Sequence, residues 1–338
     1  MRSSVLWLVL VCAAILAGVL PALIRPALIA WQVVDAPNHR SSHLTPTVRG
    51  VGLAQSIATV VAALGLVFFS GWNRDSVVIA MIMGVALAAS AIGLADDLRA
   101  PAGLRPVWRL VLQGAVGVAA TALISAIFPG TWWLLGLGVL GIVGYINVAN
   151  FMDGINGISG LHGLVTGLLF AAVGYITGRE WLLIIGFWTA VAFLAFLPWN
   201  LGRVGAFLGD VGSYLLGGLV GATALAALLS GLPVLAVVGP VTIYLADAIF
   251  TVCTRLLRGD NILQAHRDHV YQRLVDGGVG HVATALLANG LGLITGVLSL
   301  ATVVWTNGVV TIAVAIGIIG VVAGYMCLPL WIGNNTKG

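Results

Sequence analysis

Long apolar runs alternate with short polar segments along the whole chain. A helix needs roughly 20 apolar residues to cross a bilayer core, each adding about 1.5 Å. Windows of about that length fall at 4–24, 51–70, 77–94, 107–128, 132–146, 161–176, 181–197, 211–230, 233–254, 282–304 and 309–330, which predicts eleven spans. The stretch 147–160, NVANFMDGINGISG, is polar, glycine-rich and acidic between two such runs. Hydrocarbon would leave its backbone groups unpaired, so it must lie at a membrane edge or line a protein-walled cavity.

Composition agrees with the pattern. The 338 residues are 60% hydrophobic and 8% charged, with a mean hydropathy of +1.09. A soluble domain carries about a quarter charged residues, so the expected class is an all-α, polytopic membrane protein. Cys12, Cys253 and Cys327 all fall in apolar runs without a CxxC, so they read as small buried hydrophobes. The first apolar run continues past Leu20 to Ile24, too long for an ordinary signal h-region, and reads as the first span, with a cleaved signal as the alternative. No connection is long enough for a core of its own, so 1–338 is read as one membrane domain.

Basic residues set the expected orientation. One set of connections holds Arg2, Arg74 and Arg179; the other holds twelve, from Arg25 to Lys337. The second set is expected to face the cytoplasm, with the N-terminus outside and the C-terminus inside. It comprises the loops 31–50, 95–106, 147–160, 198–213 and 255–281, which carry nearly all the candidate chemistry. A transporter would place ionisable groups near the midplane of its spans. Here only Asp247 does so among the acids, and it lies about 12 Å along a helix from Arg255, too far for a direct pair. It is given a structural or site-support role.

Asp96 and Asp97 follow an inward-running helix, where carboxylates oppose the negative end of the macrodipole. Either a cation compensates them at a site, or they form a solvated turn paired with Arg99 or Arg105. Asn147, Asn150 and Asp153 recur every three residues, on one face if the helix continues. Asp153-Gly154 and Asn156-Gly157 are turn dipeptides whose glycines let backbone approach a phosphate. Asp210, in FLGDVGS, taken alone reads as an N-cap, although an oxygen ligand at a helix N-terminus flanked by Gly209 and Gly212 also offers a seat for Mg²⁺ and a phosphate together. His266, Arg267 and His269, and in the first loop Asn38, Arg40, Ser42, His43 and Arg49, suit polyanionic phosphates. No HExxH or cysteine partner supports zinc.

The ordered set DAPNHRSSHLTPTVRG, ADD, NxxNFMDGxxG, FLGDVGS and HRDHVYQRL resembles the polyprenyl-phosphate N-acetylhexosamine-1-phosphate transferases. That superfamily includes the phospho-MurNAc-pentapeptide translocases, and the first and last motifs are most similar to the branch that starts O-antigen or related surface polysaccharides. The resemblance implies that Asp96 and Asp97 are the paired catalytic aspartates and Asp153 a catalytic or orienting acid. It implies Asn150 and Asp210 as ligands of Mg²⁺, with Mn²⁺ as an alternative, and His266 and His269 as contacts of the nucleotide diphosphate. Asn147, Asn156 and Asn200 are grouped with the loop residues above as substrate contacts. Two positions depart from common patterns: Ala100 replaces a lysine of the translocase branch, and Asn156 an aspartate of many members.

The implied substrates are a UDP-N-acetylhexosamine and polyprenyl phosphate in the plasma membrane of a bacterial cell. No nucleic-acid partner is expected, and a homodimer stays open. No GxxxxGK[ST] is present, as befits exchange of one phosphoanhydride for another. The alternative function is a transporter or flippase of anionic lipid-linked sugars.

Overall fold

The computed structural model describes residues 2–35, 47–100, 102–128, 134–201, 205–260 and 267–335. These form α1 (Arg2–Ala30), β1 (Val34–Asp35), β2 (Thr47–Val48), α2 (Leu53–Ser70), α3 (Arg74–Asp97), α4 (Pro106–Ile127) and α5 (Leu135–Phe151). They continue with α6 (Ile158–Thr177), α7 (Glu180–Leu201), α8 (Gly209–Leu229), α9 (Val234–Val238), α10 (Thr242–Arg258), α11 (Val270–Asp276), α12 (His281–Val304) and α13 (Gly308–Asn335). The protein is an all-α, polytopic membrane protein. Among the described residues ten helical segments are long and apolar enough to cross a membrane, and the eleventh expected span is α5, of 17 residues. It is displaced from the expected window 132–146, because the helix runs on through Asn147 and Asn150 to Phe151.

At the centre stands α8, buried on every side and packed chiefly against α3 and α5. The span made of α9 and α10 is broken. Val234–Val238 and Thr242–Arg258 are joined by a 3₁₀ turn, Gly239–Val241, at Pro240. Proline interrupts the helix ladder, and in lipid the carbonyls at such a break need other donors. Thr295 on α12 donates to the Gly239 carbonyl at 2.8 Å and Thr166 on α6 to that of Pro240 at 3.3 Å.

At the membrane face away from the polar loops, the few charges serve helix ends. Arg74 donates to the Ile127 carbonyl that ends α4, and Arg179 to the Ser230 carbonyl after α8. Asp75 and Glu180 lie in the first turns of α3 and α7. Each sign faces the helix terminus of opposite polarity.

Candidate functional site

The adjacent acids are the last two residues of α3, and both are buried. Their cost at a helix C-terminus is met by the start of α8. Asp97 Oδ1 accepts from the Asp210 backbone N–H at 3.1 Å and Oδ2 from that of Val211 at 2.9 Å. The carboxylate thus sits at the positive end of α8 and fills two of its orphan donors. This approach needs glycine on both sides. A Cβ on Gly93 would lie 2.1 Å from the Asp210 carbonyl oxygen, and Gly209, at φ +75°, would bring one within 2.6 Å of Asp97 Oδ2.

The compensating cations differ from those expected. Arg99 turns back onto the Ala95 carbonyl. Instead Arg49 binds both Asp97 Oδ1, through Nε at 2.8 Å, and Asp210 Oδ1, through Nη2 at 2.6 Å. Arg109 of α4 approaches Asp96 Oδ2 at 3.5 Å, and the Leu104 N–H reaches Asp96 Oδ1 at 2.5 Å. Arg49 is delivered by backbone pairing: the Phe207 N–H donates to the Val48 carbonyl at 2.8 Å and the Gly52 N–H to that of Leu208 at 2.9 Å. The end of the first polar loop is thereby strapped to the segment preceding α8.

Asp210 does not cap its own helix. Its Oδ1 accepts from Arg49 and from Asn150 Nδ2 at 3.0 Å, and Asn150 also meets Ser213 Oγ at 3.1 Å. The Asp96 and Asp210 carboxyls are within hydrogen-bonding reach of each other. Two acids so placed require a shared proton or a cation. Among the described residues no three carboxylate, imidazole or thiolate groups converge as a metal cage. Two carboxylates in an oxygen-rich setting nonetheless fit Mg²⁺, which takes one or two carboxylates and completes its shell with water and substrate phosphate. Asn150 reaches Asp210 here as a donor, so ligation through its Oδ1 requires the opposite amide orientation.

Asp153, in the turn after α5, is half-buried. Burial first, then the neighbouring Asp210 and Asp97 charges, push its carboxyl up to about 7, against the Ser159 hydroxyl and Arg49, which lower it. An acid whose pKa rises on folding loses stability as pH climbs from its unfolded value towards the folded one. In metal-free buffer Asp153→Asn is therefore expected to flatten the fall in melting temperature between about pH 4 and pH 7. An unchanged slope in a detergent thermal melt would remove the assignment.

His269 lies by the same loop. Its ring is 6.2 Å from that of Phe151, and Tyr271 donates to the Phe151 carbonyl at 2.9 Å. Its Nδ1 is 2.9 Å from Asp247 Oδ1, which fixes that nitrogen as the donor. Asp247 is fully buried and also accepts from Val270 N–H (3.0 Å), Tyr271 N–H (3.3 Å), Tyr325 Oη (2.8 Å) and Thr251 Oγ1 (3.4 Å). This gives Asp247 the support role expected of it. Its partners lie 22 and 78 residues away, a spacing that carries no sequence signal.

Of the other candidates, Asn200 is buried and clamps two loops, accepting from the Gly157 N–H and donating to the Ala206 carbonyl at 2.9 Å. Asn147 joins Gln113 of α4 at 2.7 Å. Arg267 meets Asp276 at 2.8 Å, and Arg255 pairs with Asp268 at 2.7 Å. Asn156 is half-buried in the turn before α6. Asn38, Arg40, Ser42, His43 and His266 lie outside the described residues. Sequence reasoning missed Arg109, Gln113 and Ser213; only the i, i+4 spacing of Arg109 and Gln113 at the start of α4 hinted at the first two.

Residues 79–228 match the family model described as glycosyl transferase family 4. The match runs from α3 to the end of α8 and contains Asp96, Asp97, Asn147, Asn150, Asp153, Asn200 and Asp210, with Arg49 and His269 outside it. It supports the superfamily that the five motifs resemble, and hence a transferase. No curated protein matches the chain.

Proposed function

We propose that the protein transfers an N-acetylhexosamine-1-phosphate from a UDP-sugar to polyprenyl phosphate, releasing UMP and starting a cell-surface polysaccharide such as O-antigen. The observation that carries this reading is the meeting of Arg49, Asp96, Asp97, Asn150 and Asp210, from four separate stretches, at one end of the bundle. The distribution of basic residues supports a cytoplasmic position for that end. The match to glycosyl transferase family 4 supports a sugar-phosphate transferase in general.

In the proposed step an oxygen of the lipid phosphate forms a bond to the β-phosphorus, the bond from that phosphorus to the bridging oxygen breaks, and UMP leaves. Two polyanions must approach. Unit charges 4 Å apart interact by about 4 kcal/mol at an effective dielectric near 20, so several have to be neutralised. Bound Mg²⁺ supplies charge neutralisation at the diphosphate. Asp210 and Asp96 are the residues that would hold it, and Asn150, which also bonds Ser213, orients the Asp210 carboxylate.

Asp97 is tied to Arg49 and to two backbone N–H groups of α8, whereas Asp96 Oδ2 meets Arg109 only at 3.5 Å, so Asp96 is assigned as the acid next to the incoming lipid phosphate. A phosphate with a second pKa near 6 is largely ionised at neutral pH, so positioning outweighs proton removal. His269, with Nδ1 turned to Asp247, contacts the nucleotide diphosphate. The test is UMP release by purified protein given polyprenyl phosphate, Mg²⁺ and a panel of UDP-sugars. The panel identifies the sugar; absence of UMP with every donor would refute the proposal and leave transport of a lipid-linked sugar as the reading to pursue.

A further inference from the structure

Gln113 is fully buried one helical turn beyond Arg109, on the membrane side of the acids. Its Oε1 accepts from Asn147 Nδ2 at 2.7 Å, and Asn147 Nδ2 also donates to the Val143 carbonyl at 2.8 Å. The second bond identifies that atom of Asn147 as its nitrogen, since a carbonyl accepts only from a donor. It thereby fixes the facing atom of Gln113 as its oxygen. Gln113 Nε2 is left as a buried amide donor with no partner among the described residues. Such a group costs free energy unless a ligand or water accepts from it.

Its surroundings indicate what that acceptor is. Arg109 and Gln113 on α4, and Asn150 and Asn147 on α5, form two rungs. The outer rung is Arg109–Asp96, with Asp210–Asn150 facing it; the inner rung is Gln113–Asn147, one turn further into the bilayer. Tyr214 on α8 also interacts with Arg109. We infer that the Gln113 amide donates to a phosphate oxygen of the substrate, as a positioning residue that neither the motifs nor the family match assigns. The inference rests on the proposed transferase reading. Phosphate could come from the lipid or from the nucleotide. The lipid approaches from the bilayer side, where the unpaired donor lies, so the lipid phosphate is the expected partner.

Gln113→Glu and Gln113→Leu separate this role from a purely structural one. Glutamate keeps an oxygen for Asn147, so a simple pin between α4 and α5 would survive it and fail with leucine. A donor to phosphate gives the reverse order, because glutamate sets a negative charge against the substrate. The expected result is a KM for polyprenyl phosphate raised about tenfold or more in Gln113→Leu, and further in Gln113→Glu, with the KM for the UDP-sugar within about twofold of the unsubstituted protein. Thermal melts in the same detergent check folding.

A rise confined to the UDP-sugar KM assigns the donor to the diphosphate and overturns the lipid assignment. Unchanged kinetics in Gln113→Glu, or loss only in Gln113→Leu with a lowered melting temperature, overturns the inference while the UMP assay still supports the transferase. If both variants fail to fold, Asn147→Asp supplies the same test from the other side. Its carboxylate lacks the donor to Gln113 Oε1 but accepts from Gln113 Nε2, so it should raise the lipid KM by capturing that amide; an unchanged lipid KM there also overturns the inference. Failure of the unsubstituted protein to release UMP would instead refute the transferase reading itself.

Discussion

Asp97→Asn is expected to destabilise the protein by roughly 1–3 kcal/mol and to abolish turnover, the cost of leaving buried hydrogen-bonding groups unpaired. The side chain is 1% exposed, and its two oxygens serve Arg49 Nε and two backbone N–H groups at the start of α8. An amide keeps one oxygen but turns an NH₂ group towards donors, and it leaves Arg49 with Asp210 as its remaining acid in this cluster. Asp210→Asn provides the contrast. Asp210 is also buried, but its carboxylate holds the Arg49 and Asn150 side chains rather than the first amides of a helix, and its loss should end UMP release with a smaller change in melting temperature. Denaturation in detergent and UMP assays on both variants decide the matter. If Asp97→Asn melts with the parent protein yet is inactive, Asp97 acts on substrate rather than on architecture.

The spans were legible because lipid imposes a length of apolar sequence that nothing else in the chain imitates. Departures fall where polar residues continue a helix: α5 runs on to Phe151 because Gln113 and Asp210 receive its asparagines. The acids at the end of α3 posed a question that sequence could frame but not answer. Their compensation comes from a helix terminus more than a hundred residues on and from Arg49, and neither is local. Asp210 looked like a cap, yet the α8 amides take their acceptor from Asp97 instead. The buried set of Tyr145, His162 and Tyr244 was invisible for a related reason. Tyr145 and His162 meet at 2.6 Å and His162 stacks on Tyr244 at 3.6 Å, contacts between helices that hydropathy averages away.

Asp97 and Asp247 turn out to be one device used twice. Each is a buried carboxylate on one helix that accepts the first amides of another and orients a cationic or basic side chain, Arg49 in the first case and His269 in the second. Asp247→Asn tests whether the second instance matters as much. Five donors surround this carboxylate, and an ionised carboxylate offers about four lone-pair sites with no hydrogen of its own. An asparagine places two N–H groups among them, so a loss of at least about 1–3 kcal/mol is expected.

Hydrogen exchange should speed up at Val270 and Tyr271, and the KM for the UDP-sugar should rise as the imidazole loses its fixed orientation. The lipid KM should hardly move, because His269 and Gln113 reach the site from different helices. Protection of Val270 and Tyr271 unchanged in Asp247→Asn would show that α11 is held by other contacts, and the parallel with Asp97 would then fail.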